Sequence, residues 1–158
     1  MELKVRRAEE KDIPRVLSML HQVLEIHAGI RPDIFIPGTT KYTAEELKAI
    51  FENESTPVFV AADENDAAIG YVFCRMETQP AANNMKGFDY MYIDDLCVDE
   101  AARGRGVGEA LIDRARQEAK DRGCYEVTLN VWRGNDSAWG FYEKMGFSIK
   151  KAQMEQIL

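Results

Sequence analysis

Residues 103 to 108 read Arg-Gly-Arg-Gly-Val-Gly, between an apolar stretch ending at Val98 and an amphipathic segment from Glu109 to Arg122. The spacing predicts a glycine-rich turn feeding a helix, an arrangement suited to an anion. Glycine lets backbone N–H groups converge without Cβ interference, and the helix start adds the positive end of its dipole. A charge-assisted N–H bond contributes about 1.5–3 kcal/mol, and the dipole adds up to about 2 kcal/mol in a partly buried site. Arg103 and Arg105 are candidate paired donors, and the run Arg103, Gly104, Arg105, Gly106, Val107, Gly108 is the candidate phosphate cradle.

Spacing decides between phosphate ligands. A nucleoside-triphosphate loop needs G-x-x-x-x-G-K-[ST], and no Lys followed by Ser or Thr closes a glycine stretch here. A dinucleotide fingerprint needs G-x-G-x-x-G early in a βαβ unit, whereas Gly104, Gly106 and Gly108 alternate and Glu109 stands three places after Gly106. A tight strand-to-helix turn that binds nothing stays open on spacing alone.

The elements that must carry this loop follow from periodicity. Leu3 to Arg7 alternate as a short strand, and Ile13, Val16, Leu17, Leu20, Leu24 and His27 recur at helical spacing. Ala28 to Tyr42 holds Gly29, Pro32, Pro37 and Gly38 and reads as a loop; Thr43-Ala-Glu-Glu46 is a capping box opening a second helix to about Asn53. Pro57–Ala62 and Ala67–Met76 read as a hairpin around Asp63-Glu-Asn-Asp66, Thr78–Phe88 as a second loop, and Asp89–Val98 as the next strand. A helix follows to Arg122, stopped by Gly123, then a strand over Tyr125–Val131 and a last helix capped by Asn135 or Asp136 and ended by Gly146. Residues from Phe147 onward are expected to return as an edge strand. The order indicates an α/β fold with a single mixed, mostly antiparallel sheet of six to seven strands flanked by about four helices, one domain over residues 1–158.

The chain has 158 residues, of which 46% are apolar, enough for one core. A net charge of −7 argues against nucleic acid as partner, since such binding rests on neutralising phosphates. The longest apolar stretch, Ala67 to Cys74, is too short to span a bilayer, and the charged start has no signal-peptide core, so a cytoplasmic location without membrane partner is expected. Cys74, Cys97 and Cys124 lack C-x-x-C spacing and read as buried free thiols, with no metal site.

With these residues in place, the chain resembles the GNAT N-acyltransferase superfamily. Arg103-Gly-Arg-Gly-Val-Gly108 fits its R/Q-x-x-G-x-G/A motif, Leu96-Cys-Val98 precedes it at the family's distance, and Asn135-x-x-Ala-x-x-Phe-Tyr-x-x-x-Gly-Phe147 fits its downstream motif. The resemblance implies acetyl-CoA as cosubstrate, without a metal, and direct transfer to an amine. It implies that the cofactor lies where Tyr90–Val98 and Tyr125–Val131 splay, with Leu96, Cys97 and Val98 against the pantetheine and its diphosphate on Arg103 to Gly108. Asn135 and Asn130 would bond the pantetheine arm; a plain helix cap is the alternative for Asn135. An acyl-CoA-binding regulatory module without turnover is the alternative function.

An aliphatic amine with pKa near 10.4 is almost wholly protonated at pH 7, so freeing its lone pair costs about 4–5 kcal/mol. Asp94 and Asp95 are the candidate proton acceptors, Asp94 first. Strand alternation puts Tyr92, Asp94 and Leu96 on one face and Ile93, Asp95 and Cys97 on the other, so the two acids share the acceptor side only if a bulge intervenes. Some relatives place a glutamate two residues earlier, where this chain has Tyr92. Tyr142 stands where the family has a tyrosine that reaches the departing sulfur, and it is assigned mainly as a hydrogen-bond donor to that sulfur. No link ties Cys97 to a base that would make it a nucleophile. The acceptor is left open among polyamine, aminoglycoside, amino-acid derivative, peptide N-terminus and protein lysine, with the paired acids leaning to a small cationic amine. Ile149–Leu158 offers an edge for pairing in a homodimer.

Overall fold

The computed structural model of the protein describes residues 2–158. Strand β1 (Lys4–Arg7) leads through a short 3₁₀ turn into α1 (Ile13–Ile30) and α2 (Ala44–Glu52). Then come β2 (Val58–Ala62), β3 (Ala68–Gln79), β4 (Phe88–Val98), α3 (Val107–Asp121), β5 (Val127–Leu129) and α4 (Asp136–Lys144). The strands form one five-stranded sheet in the order β1-β2-β3-β4-β5, antiparallel except for the parallel β4–β5 pair. The mixed sheet with four helices is the expected architecture, but five strands among the described residues replace the expected six to seven.

The missing strand is the C-terminal one. Residues beyond Lys144 add no strand. In Ile149, Ala152, Met154, Ile157 and Leu158 the apolar positions fall on both parities, so no alternating face is available to bury. This tail is held by Lys150 against Glu126 at 2.5 Å and by Arg31 against Glu155 at 2.6 Å, while Ile149, Met154, Ile157 and Leu158 stay exposed.

The sheet separates two apolar layers. On one face α3 packs Val107, Leu111, Ile112 and Ala115 against Phe59, Val72, Cys74, Met91 and Ile93. On the other, Val16, Met19 and Leu20 of α1 and Leu47 and Phe51 of α2 cover Val58, Val60, Tyr71, Phe73 and Cys97. The capping box of α2 is reciprocal, with the Thr43 hydroxyl accepting from Glu46 N–H and the Glu46 carboxylate accepting from Thr43 N–H.

Two local features shape the middle of the sheet. The β3–β4 register shifts so that Phe73 faces Asp95 while Cys74 faces Ile93, which leaves Asp94 as an extra residue in β4. This bulge switches the alternation. Met91 and Ile93 point to the α3 layer, whereas Cys97 belongs to the α1 layer. Beyond it β5 no longer follows β4, since pairing ends at Ile93 with Leu129 although β4 runs on to Val98. The strand expected over Tyr125–Val131 is therefore only three residues long.

Candidate active site

The divergence of β4 and β5 leaves the Asp94–Val98 stretch of β4 without a ladder partner on its β5 side. The N-terminus of α3 lies at the end of that stretch. Its stem is tied down on both sides: the Asp99 carboxylate accepts from Arg15 at 2.7 Å and from Gln22 at 3.0 Å, and Asp99 N–H donates to Ile69 C=O. The Arg103 guanidinium turns back to donate to Val98 C=O at 3.2 Å.

The loop has the backbone that an anion cradle requires. Gly104 and Gly106 take φ of +77° and +78°, the left-handed region where a Cβ is strained even though open space surrounds both. Gly106 is the N-cap of α3 and has no side chain to cap with, so nothing from the cap residue covers the first-turn N–H groups. At Gly108 closeness matters: a Cβ would lie 3.0 Å from the Phe141 ring, so glycine lets α4 approach α3. Val107, 1% exposed, anchors the helix start in the core. Acetyl-CoA fits these residues on two counts, an uncapped N-terminus framed by left-handed glycines and an open strand edge leading from it.

The bulge brings both acids towards the α1 and α2 layer, and their surroundings differ. Asp94 is engaged: its carboxylate accepts from the Tyr42 hydroxyl at 2.5 Å and from Lys41 Nζ at 3.1 Å, with Arg75 at 3.9 Å. Asp95 lies deeper. Burial pushes its carboxyl up to about 6; Lys41 opposes the rise, the Asp94 charge adds to it, and the Tyr71 hydroxyl and Leu96 N–H oppose it. The Tyr71 hydroxyl is buried near this carboxyl without closing a hydrogen bond of ordinary geometry. Burial first of all, and then the Asp95 charge, holds the phenol of Tyr142, on α4, well above the usual range. It stays protonated and packs edge-on against Phe141 and Phe147.

The remaining candidates take modest places. Leu96 and Val98 pack against the α3-side core, lining the open edge. Cys97 is buried, its sulfur 3.6 Å from Met19 C=O, and burial pushes its thiol up to about 12, the opposite of a thiolate nucleophile. Asn130 donates to the Tyr92 hydroxyl at 3.1 Å; the Asn135 side chain caps α4 by accepting from Ala138 N–H at 3.3 Å. His27 packs with Phe35 and Trp132, and burial, then Lys41, lowers its basicity. Among the described residues no group of three or more His, Cys, Asp or Glu is placed to hold a metal. No described helix is long and apolar enough to cross a membrane.

The sequence reading missed Lys41, Tyr42 and Tyr71 as neighbours of the acids. Only Tyr71 left a trace, as a hydroxyl inside an apolar run that must meet a polar group once buried.

Residues 20–147 match the profile of the Acetyltransferase (GNAT) family. The chain belongs to that family. Peptidyl-lysine N-acetyltransferase YjaB of Salmonella typhimurium is 25% identical over 149 residues, 94% of this chain and 86% of that protein. Glucosamine 6-phosphate N-acetyltransferase 1 of Oryza sativa is 44% identical over 63 residues, 40% of this chain, and the matched segment spans only 36% of the rice protein. The crystal structure of a mutant of the BH1408 protein from Bacillus halodurans superposes with a TM-score of 0.94 at 30% identity, covering 98% of this chain and 99% of that one. GNAT acetyltransferases use acetyl-CoA as cosubstrate.

Proposed function

We propose that the protein transfers an acetyl group from acetyl-CoA directly to a primary amine of a small molecule or peptide, with Asp95 as proton acceptor and Tyr142 as donor to the sulfur. The observation that carries this reading is the β4 bulge, which turns Asp95 towards the α1 and α2 layer at the start of the unpaired Leu96–Val98 edge, where burial pushes its carboxyl up to about 6.

At neutral pH a carboxyl of this basicity is mostly ionised and ready to receive a proton. Moving a proton from an ammonium of pKa near 10.4 to a carboxylate near 6, in place of one near 3.8, is less uphill by about 3 kcal/mol. Bound acetyl-CoA supplies an acetyl thioester. The residues Arg103 to Gly108 would hold its diphosphate through backbone N–H groups, and the unpaired edge of Leu96, Cys97 and Val98 would present main-chain groups to the pantetheine amides. Asn130 and Asn135 would bond the pantetheine arm. Tyr142 keeps its proton at the hydroxyl and stabilises negative charge developing on the sulfur, worth about 1.5–3 kcal/mol for one charge-assisted bond.

Asp94 is assigned away from proton transfer, because Tyr42 and Lys41 already occupy its oxygens. The paired-acid argument for a cationic acceptor thereby loses one of its two charges. A raised carboxyl and a protonated phenol at one cleft favour turnover over a binding module.

The test joins binding to chemistry. Coenzyme A at a hundred times its Kd should stabilise the fold by about 2.7 kcal/mol. Thiol release from acetyl-CoA over a panel of polyamine, aminoglycoside, amino-acid, peptide and lysine-peptide acceptors should appear for at least one amine. It should fall about tenfold to a hundredfold in Tyr142→Phe. Tight binding with no release for any acceptor overturns the enzymatic reading.

A further inference from the structure

The connection between α1 and α2 carries no motif, yet it reaches the bulge at two adjacent residues. Tyr42 places its hydroxyl 2.5 Å from Asp94 Oδ2 and packs its ring edge-on against Phe73 at 5.7 Å. Lys41 Nζ lies 3.1 Å from both Asp94 Oδ1 and the Asp94 main-chain carbonyl. The single residue inserted by the β4 bulge is thus gripped three times by one stretch of loop, and the loop's ammonium is held on the residue that precedes Asp95.

We propose that Lys41 is a positioning residue for the transfer reaction: with Tyr42 it docks the α1–α2 connection onto Asp94 and sets a positive charge one residue away from Asp95. The inference rests on Asp95 being the proton acceptor.

The groups that face Asp95 come from four places: Tyr71 on β3, Asp94 and Cys97 on β4, Tyr142 on α4, and Lys41 and Tyr42 on the connection. Among the described residues Lys41 is the cation whose charge acts most strongly on Asp95. It acts in two ways with the same sign, because its ammonium favours the Asp95 carboxylate directly and also offsets the Asp94 charge that opposes it. Without the Lys41 ammonium, Asp95 holds its proton to higher pH, so a smaller share of the carboxyl is ionised near neutral pH. Lys41 is 42% exposed at its side chain, so its replacement leaves the core untouched.

The test is a carbon-13 NMR titration of the Asp95 carboxyl in the full chain, assigned by the signal lost in Asp95→Asn, with neither acyl donor nor acceptor present. Wild type, Lys41→Met and Lys41→Arg are compared. The midpoint should rise in Lys41→Met by about half a unit to one unit and return near the wild-type value in Lys41→Arg. An unmoved midpoint in Lys41→Met, or an equal rise in both variants, overturns the proposal. Acetyl transfer by Asp95→Asn separates the two readings: undiminished transfer removes Asp95 as base while leaving the titration result standing, and lost transfer with an unmoved midpoint removes only the role of Lys41.

Discussion

Asp95→Asn should give a protein that is inactive and more stable. Burial pushes the folded carboxyl up to about 6 from an ordinary 3.8, so ionising it in the fold should cost about 3 kcal/mol more than in the unfolded chain. Because the folded value is raised, the unfolded state binds fewer protons between these two values, and stability falls as pH climbs through the window from about 4 to 6. Asparagine keeps the shape without the charge. At pH 8 the variant should therefore be more stable than wild type by about 2–3 kcal/mol, and lowering the pH to 5 should shrink this advantage by about 1–2 kcal/mol. Urea unfolding at both pH values reads the difference; with m near 2 kcal/mol/M the advantage in midpoint should narrow by about 0.5–1 M from pH 8 to pH 5. The same carboxyl predicts that kcat/KM for the acceptor falls about tenfold for each pH unit below about 6. A stability difference independent of pH, or a wild type more stable than the variant at pH 8, refutes the argument that burial has raised this group.

Gly106→Ala meets no neighbour but must hold φ near +78°, so the fold should lose about 1–2 kcal/mol and the coenzyme A-induced rise in Tm should shrink; an unchanged ligand shift would mean that the loop does not carry the diphosphate. Cys97→Ala removes a buried thiol whose basicity rules against a thiolate, and turnover should stay within about twofold of wild type in steady-state kinetics, whereas a covalent route through sulfur would abolish it. Asp12, 3% exposed, accepts from Arg6 at 2.8 and 3.0 Å and from Glu9 N–H at 2.8 Å, so Asp12→Ala should cost about 2–3 kcal/mol in denaturant unfolding with coenzyme A affinity retained.

Legibility followed the range of the interaction concerned. The capping box at Thr43 and the glycine stops at Gly123 and Gly146 are written in three or four consecutive residues and stand where expected. The glycine-rich turn before α3 was legible for the same reason, since left-handed backbone at Gly104 and Gly106 is a local demand that only glycine meets at no cost. The expected last strand failed because β-pairing is non-local: tail residues without an alternating apolar face gain little from joining an edge. The difference in surroundings between the two aspartates was not legible for a related reason. It turned on a register shift opposite Phe73 and Cys74 and on side chains some fifty positions away, Lys41 and Tyr42, which no periodicity connects to β4.

Residue identity by itself determined the kinds of group available: a glycine-rich helix start for an anion, two adjacent carboxyls, a phenol on the last helix, and enough apolar surface for one sheet with helices on both faces. Tertiary structure alone decided the surroundings of each carboxyl, the one held by Tyr42 and Lys41 and the other set near Tyr71. A proton affinity depends on what surrounds the charge within a few ångströms, and in this chain burial beside β4 and a lysine from a distant loop set that environment.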